Sequence, residues 1–186
     1  MKRNELNDLL ERSPVIAAVS ENKWDAAISS PAGIIFYLQG NLLTLKDRIK
    51  QSHDAGKPVF VHIDLADGIT RDKTGLTFVA KCGADGILTT HGNLIKIAHE
   101  MGLLTVQRFF ALDSKGVENI EDIATSISPD LIEIMPGIAQ KIVKRFSGGR
   151  IPVIAGGLIE TKSEVTQALS CGAAAVSTGC EDLWYL

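Results

Sequence analysis

Ala80-Lys81-Cys82-Gly83-Ala84-Asp85-Gly86-Ile87 and Ser170-Cys171-Gly172-Ala173-Ala174-Ala175-Val176 nearly repeat each other at two distant points of the chain. In both, a glycine follows a stretch with helical periodicity and precedes a β-rich run, the pattern of a helix C-cap handing the chain to a strand. Outward from these joints, eight short β-rich runs can be marked: Val15 to Val19, Gly33 to Leu38, Val59 to Leu65, Asp85 to Thr90, Leu103 to Phe109, Asp130 to Met135, Ile151 to Ala155, and Ala173 to Thr178. Stretches of helical spacing, such as Leu42, Leu45, Ile49 and Leu94, Ile97, Ala98, separate them. Strand then helix, eight times over, predicts an α/β fold: a compact (β/α)8 TIM-type barrel, with residues 1–186 as a single domain. The chain lies just under the usual length of about 200 to 400 residues for that fold, so its helices must be short. A doubly wound open sheet is the alternative. Its phosphate-binding turn is missing, because Val19 is followed by Ser20-Glu21-Asn22-Lys23 rather than by spaced glycines.

Composition sets the outer bounds. The chain has 186 residues, 45% apolar and 22% charged, which is material for one core and no second domain. Its formal net charge is −3, so no overall basic field holds a polyanion and any nucleic-acid contact must use a local patch. Cys82, Cys171 and Cys180 have no paired spacing, which argues against a disulfide framework and a structural zinc site and suits a reducing cytoplasm. Cys82 and Cys171 are expected at helix ends as small apolar fillers. The N-terminal stretch carries acids where a signal peptide needs apolar residues, and no run approaches the ~18 residues of a membrane span, so a cytoplasmic protein with no membrane partner is expected. The P-loop and His-Glu-x-x-His patterns are absent.

In a barrel of this kind the chemistry lies at the C-terminal ends of the strands. In the third run, Val59, Val61, Ile63 and Leu65 share the parity that faces the helices, while Phe60, His62 and Asp64 face the interior. In the sixth, Ile132 and Ile134 point outward, and Leu131, Glu133 and Met135 inward. Two acids, Asp64 and Glu133, therefore face one cavity. The fourth run adds Thr89, Thr90 and His91, and the fifth adds Gln107 and Arg108, whose facing the alternation leaves open. The seventh and eighth runs end in Ala155-Gly156-Gly157 and Ser177-Thr178-Gly179, small residues and hydroxyls in the two loops that hold phosphate in many barrels. A phosphorylated small molecule is the expected ligand.

The reaction, if any, is less constrained. Lys57 and Lys81 lie before strands, at the wrong end for a Schiff-base aldolase. Asp64 or Glu133 as a base for phosphosugar isomerisation, or both holding Mg²⁺ for phosphodiester hydrolysis, remain open as the enzyme alternative.

Five strings in order resemble one family: His62-Ile63-Asp64-Leu65 with Gly68, Asp72 and Gly75; Gln107-Arg108-Phe109-Phe110 with Asp113 and Ser114; Pro129 through Gly137; Ala155 through Ile159; and Ser177-Thr178 with Leu183-Trp184. The family is that of the glycerol uptake operon antiterminator regulatory proteins. The resemblance implies a cytoplasmic, non-enzymatic regulator, with no cofactor, that binds glycerol 3-phosphate as effector and acts on the leader mRNA of glycerol-utilisation genes. Under it, Gly156, Gly157, Ser177, Thr178 and Gly179 form the phosphate loops, and Asp64, Arg108 and Glu133, beside His62 and Thr90, form the polar mouth. His91 and Gly179 depart from the family pattern, which has a basic and a more polar residue there. For RNA, the candidate patch is Lys141, Lys144, Arg145 and Arg150, on and after the helix that follows the sixth strand, with Lys46, Arg48 and Lys50 as the alternative. A homo-oligomer is left open.

Overall fold

The computed structural model describes residues 1–186, apart from the side chains of residues 114, 119 and 121–125. Eight parallel strands close into a barrel in chain order. They are β1 (Val15–Val19), β2 (Ile34–Tyr37), β3 (Val59–His62), β4 (Gly86–Thr89), β5 (Leu104–Phe110), β6 (Leu131–Met135), β7 (Val153–Gly156) and β8 (Ala175–Thr178). Helix α1 (Arg3–Arg12) precedes β1. The helices α2 (Trp24–Ser29), α3 (Leu45–Asp54), α4 (Lys73–Lys81), α5 (Gly92–Glu100), α6 (Ser114–Ile127), α7 (Gln140–Ser147) and α8 (Lys162–Ser170) follow β1 to β7 in turn, and a 3₁₀ turn (Glu181–Tyr185) follows β8. The expected shortness holds: α2 has 6 residues and the longest, α6, has 14.

Strand alternation divides the apolar residues into two clusters. The outer one joins residues such as Ala17, Ile35, Val61, Ile87, Ile132 and Ala155 to the helices. The inner one fills the barrel with Ile16, Ile34, Phe36, Phe60, Leu88, Leu104, Val106, Leu131, Ile154 and Ala175. The Phe36 and Phe60 rings lie 5.6 Å apart, and Phe60 leaves so little room that a Cβ at Gly86 would approach it to 2.4 Å. A large residue on one strand is accommodated by none on the next.

The inner cluster also contains Leu6 and Leu10 of α1, one helical turn apart and fully or almost fully buried. Helix α1 closes the N-terminal end of the barrel. Near its end Ser13 Oγ accepts from Gly33 N, just before β2, at 2.9 Å, while Arg3 Nε stands 3.8 Å from Asp130, just before β6. Cys82 and Cys171 occupy the C-cap positions of α4 and α8 and pack, partly buried, against the outer cluster.

Most expected strand ends shift by one or two residues, and the largest change is at β3. Strand β3 stops at His62, and Ile63–Leu65 form a 3₁₀ turn, so strand alternation does not extend to Asp64 or Leu65. Leu65 is half exposed instead of lying beneath the helices. Among the described residues no helix is long and apolar enough to cross a membrane.

Candidate functional site

The interior layer at the C-terminal ends of the strands is polar. Strand β5 pairs Arg108 with Glu133 of β6, and the Arg108 Nε donates to Glu133 Oε2 at 2.5 Å. Ser177 of β8 donates its hydroxyl to Glu133 Oε1, also at 2.5 Å. The carboxylate is wholly inaccessible, so both oxygens are held by protein donors in a low-dielectric setting. The strand between them contributes no side chain: a Cβ at Gly156 would stand 2.4 Å from Glu133 Oε1 and 2.7 Å from Ser177 Oγ. The facing left open by the sequence is settled, since Arg108 follows Leu104 and Val106 into the barrel while Gln107 turns outward beside α5.

His62 enters the same layer from β3. It is 3% exposed, and neither ring nitrogen makes a hydrogen bond of good geometry, although the Leu38 backbone and Asp64 Oδ2, 3.9 Å from Nε2, are polar neighbours. Burial, followed by the nearby Arg108 guanidinium, pushes its pKa down to about 4, against the opposing pull of Asp64, Glu133 and the Leu38 backbone. The ring is therefore neutral near pH 7, with one nitrogen able to donate and the other to accept.

Asp64 belongs to a neighbouring cluster. Its carboxylate accepts from Thr89 Oγ1 at 2.5 Å, Thr90 N at 2.7 Å and Thr90 Oγ1 at 2.8 Å, while His91 Nδ1 lies 3.2 Å away. Burial raises its pKa, but these hydrogen bonds outweigh that effect and hold it below the ordinary value. Asp64 fastens the end of β4 to the turn after β3; its Oδ2 is 3.9 Å from His62 Nε2.

The two glycine-bearing loops meet on the rim. Thr178 Oγ1 donates to Ile159 O at 2.7 Å and accepts from Cys180 N at 3.0 Å, tying the loop after β8 to the loop after β7. Gly157 has φ +76°, a left-handed conformation suited to glycine. Gly179 O accepts from Lys23 Nζ at 2.8 Å. His62, Arg108, Glu133, Gly156 and Ser177 thus form one layer, Asp64 and Thr90 a second group, and Gly157, Thr178 and Gly179 the rim.

The basic candidates lie elsewhere. Lys141, Lys144 and Arg145 are on α7 and Arg150 is in the following loop, all exposed. Arg145 and Arg150 line a cleft at the N-terminal end of the barrel; Lys141 and Lys144 do not. The sequence reading does not single out Arg3, Asn4 or Asn7, which α1 adds to that cleft, because only the tertiary fold brings α1 beside the loops before β6 and β7. Lys57, the one buried lysine among the described residues, donates to Ala27 O at 2.7 Å and to Ser30 O, away from the polar layer.

The profile of the family described as Glycerol-3-phosphate responsive antiterminator matches residues 15–184. The chain belongs to this family. Solved structures resemble it: the glycerol uptake operon antiterminator regulatory protein from Listeria monocytogenes is 34% identical, with a TM-score of 0.86 over 91% of this chain and 94% of that one. A glycerol uptake operon antiterminator-related protein from Thermotoga maritima is also 34% identical, with a TM-score of 0.83 over 92% and 98% of the two chains. The chain is 35% identical over 181 residues to YgcP of Escherichia coli, covering 96% of this chain and 95% of that protein. For this antiterminator family member, the resemblance and the barrel expected from sequence both agree with these matches.

Proposed function

We propose that this antiterminator is a cytoplasmic, non-catalytic regulator that binds glycerol 3-phosphate at the barrel mouth and then acts on the leader mRNA of glycerol-utilisation genes. The observation that carries the effector site is His62, a buried neutral ring whose nitrogens make no hydrogen bond of good geometry, beside the Arg108–Glu133–Ser177 chain. A buried polar group without a partner is costly, and a ligand hydroxyl would satisfy it. In this reading the backbone of Gly156, Gly157 and Gly179, with Ser177 and Thr178, receives the phosphate. Asp64, Thr90, Arg108, Glu133 and His62 orient the glycerol hydroxyls. The hydroxyls of Ser177 and Thr178 already donate within the protein, so phosphate binding relies first on the backbone N–H groups of the two loops. RNA contact is assigned to the basic group Lys141, Lys144, Arg145 and Arg150. No cofactor enters the reading.

Calorimetric titration with glycerol 3-phosphate, glycerol and inorganic phosphate tests the site, and a product assay on the same sample tests turnover. Glycerol 3-phosphate should bind most tightly and raise the melting temperature by mass action, with no product formed. Absence of any shift at millimolar concentration would overturn the effector site, and turnover would revive the phosphosugar enzyme.

A further inference from the structure

We infer that the cleft at the N-terminal end of the barrel, opposite the effector mouth, is a binding slot for a single-stranded segment of RNA. The inference rests on the RNA-regulatory reading above and narrows its contact to Arg145 and Arg150, which line the cleft, and away from Lys141 and Lys144, which do not. The cleft holds about 780 Å³, within the range of formed ligand sites. Three guanidinium groups, Arg3, Arg145 and Arg150, line it, and no acidic side chain does, in a chain whose net charge is −3. Arginine presents a planar fork of donors that matches phosphate oxygens in pairs. Arg150 has no hydrogen-bond or ion-pair partner among the described residues. Arg3 is held only loosely, its Nε 3.8 Å from Asp130 Oδ1 and one terminal nitrogen donating to Asp130 O at 3.5 Å.

The remaining lining discriminates a nucleotide from a bare phosphate. Asn4 and Asn7 bring amides, and Asn7 Oδ1 is a buried acceptor with no partner among the described residues. A nucleobase amino group supplies the missing donor, which a phosphate cannot. Phe146 and Pro129 form a buried apolar floor and Pro152 a partly exposed one, and the exposed Arg145 guanidinium, 5.9 Å from the Phe146 ring centre, offers a planar cation on which a base can stack. Phosphate donors, an amide acceptor and a stacking surface together are the requirements of an unpaired nucleotide, because bases paired in an A-form helix hide their faces and edges. Strand β6 connects the two ends: Ile132 lines the slot, and the next residue, Glu133, turns inward to the effector layer. Helix α1, which carries Arg3, Asn4 and Asn7, inserts Leu6 and Leu10 into the barrel interior.

The test is fluorescence anisotropy of a labelled glycerol-operon leader transcript with the full-length protein saturated in glycerol 3-phosphate. R150E and the R3E/R150E pair should weaken binding by more than tenfold, and Arg150→Lys, which keeps charge but loses the fork, by several-fold. Asn7→Leu should lose affinity while leaving the salt dependence unchanged, since it removes a base contact and no phosphate contact. Lys96→Glu on α5 makes the same charge change as R150E and should bind like the wild type. Melting temperatures of all variants confirm folding. If the wild type binds RNA and the cleft variants bind equally well, the slot is wrong and the RNA reading stands; loss in K141E/K144E alone would move the contact to the outer face of α7. If the wild type binds no RNA at any salt or effector concentration, the RNA reading itself falls, and the slot with it.

Discussion

Glu133 and Ser177 hydrogen-bond across the strand that separates them, and they meet over Gly156, whose missing side chain leaves the space. The glycine that sequence alone reads as a phosphate-loop residue therefore also has a packing role inside the barrel. A methyl group at this position would force the carboxylate and the hydroxyl apart.

Gly156→Ala should accordingly destabilise the protein by about 1–3 kcal/mol, the usual range for overpacking a filled interior. It should also weaken glycerol 3-phosphate binding, since Glu133 would have to move. Urea unfolding monitored by circular dichroism, with titration on the same variant, measures both. A fully stable variant with intact binding would show that the layer yields easily.

The Arg108–Glu133 pair is more sensitive. Glu133→Gln leaves the Arg108 guanidinium buried without its counter-charge, and breaking such a pair costs about 3–5 kcal/mol. The double variant R108M/E133Q should recover much of that loss without recovering effector binding. A double-mutant cycle in denaturant reads the coupling.

Asp64→Asn should weaken glycerol 3-phosphate by roughly tenfold while affecting inorganic phosphate less, because the carboxylate accepts from glycerol hydroxyls that inorganic phosphate lacks. Equal losses for the two ligands would make Asp64 a purely structural fastener of the β4 loop.

His62 makes stability pH-dependent. Its pKa is about 4 in the folded chain against 6.5 unperturbed, so the unfolded state binds the extra proton as pH falls from 6.5 towards 4. Stability attributable to the neutral ring is fully present above pH 6.5 and declines through this window, by on the order of 3 kcal/mol at its lower end. Thermal unfolding between pH 7 and 4 should show the decline, and His62→Gln should flatten it. The lowered pKa of Asp64 adds loss in the same direction at the acid end.

If glycerol 3-phosphate controls RNA affinity, RNA must raise glycerol 3-phosphate affinity by the same factor. Titrating the effector with and without saturating transcript checks this equality. A shift in one direction alone would mean the two sites are not linked at equilibrium.

The eight β-rich runs, the glycine joints at Gly83 and Gly172, and the inward parity of Phe60, His62, Leu131 and Glu133 were legible from sequence because they depend on local spacing: period 2 in strands, period 3.6 in helices, and a cap residue between. The family could also be read from motif order. The tertiary structure decided what depends on neighbours from distant strands. Arg108 turns inward because the Glu133 carboxylate is there to pair with it, and Gly156 is small because Glu133 and Ser177 meet above it. Asp64 reaches the mouth through a turn whose hydrogen bonds to Thr89 and Thr90 no alternation rule contains. Helix α1 lies beside Arg145 and Arg150 only because closing the barrel leaves an apolar end that Leu6 and Leu10 cover. Periodicity specifies which face of an element is apolar; the identity of what covers that face comes from the closure of the whole sheet.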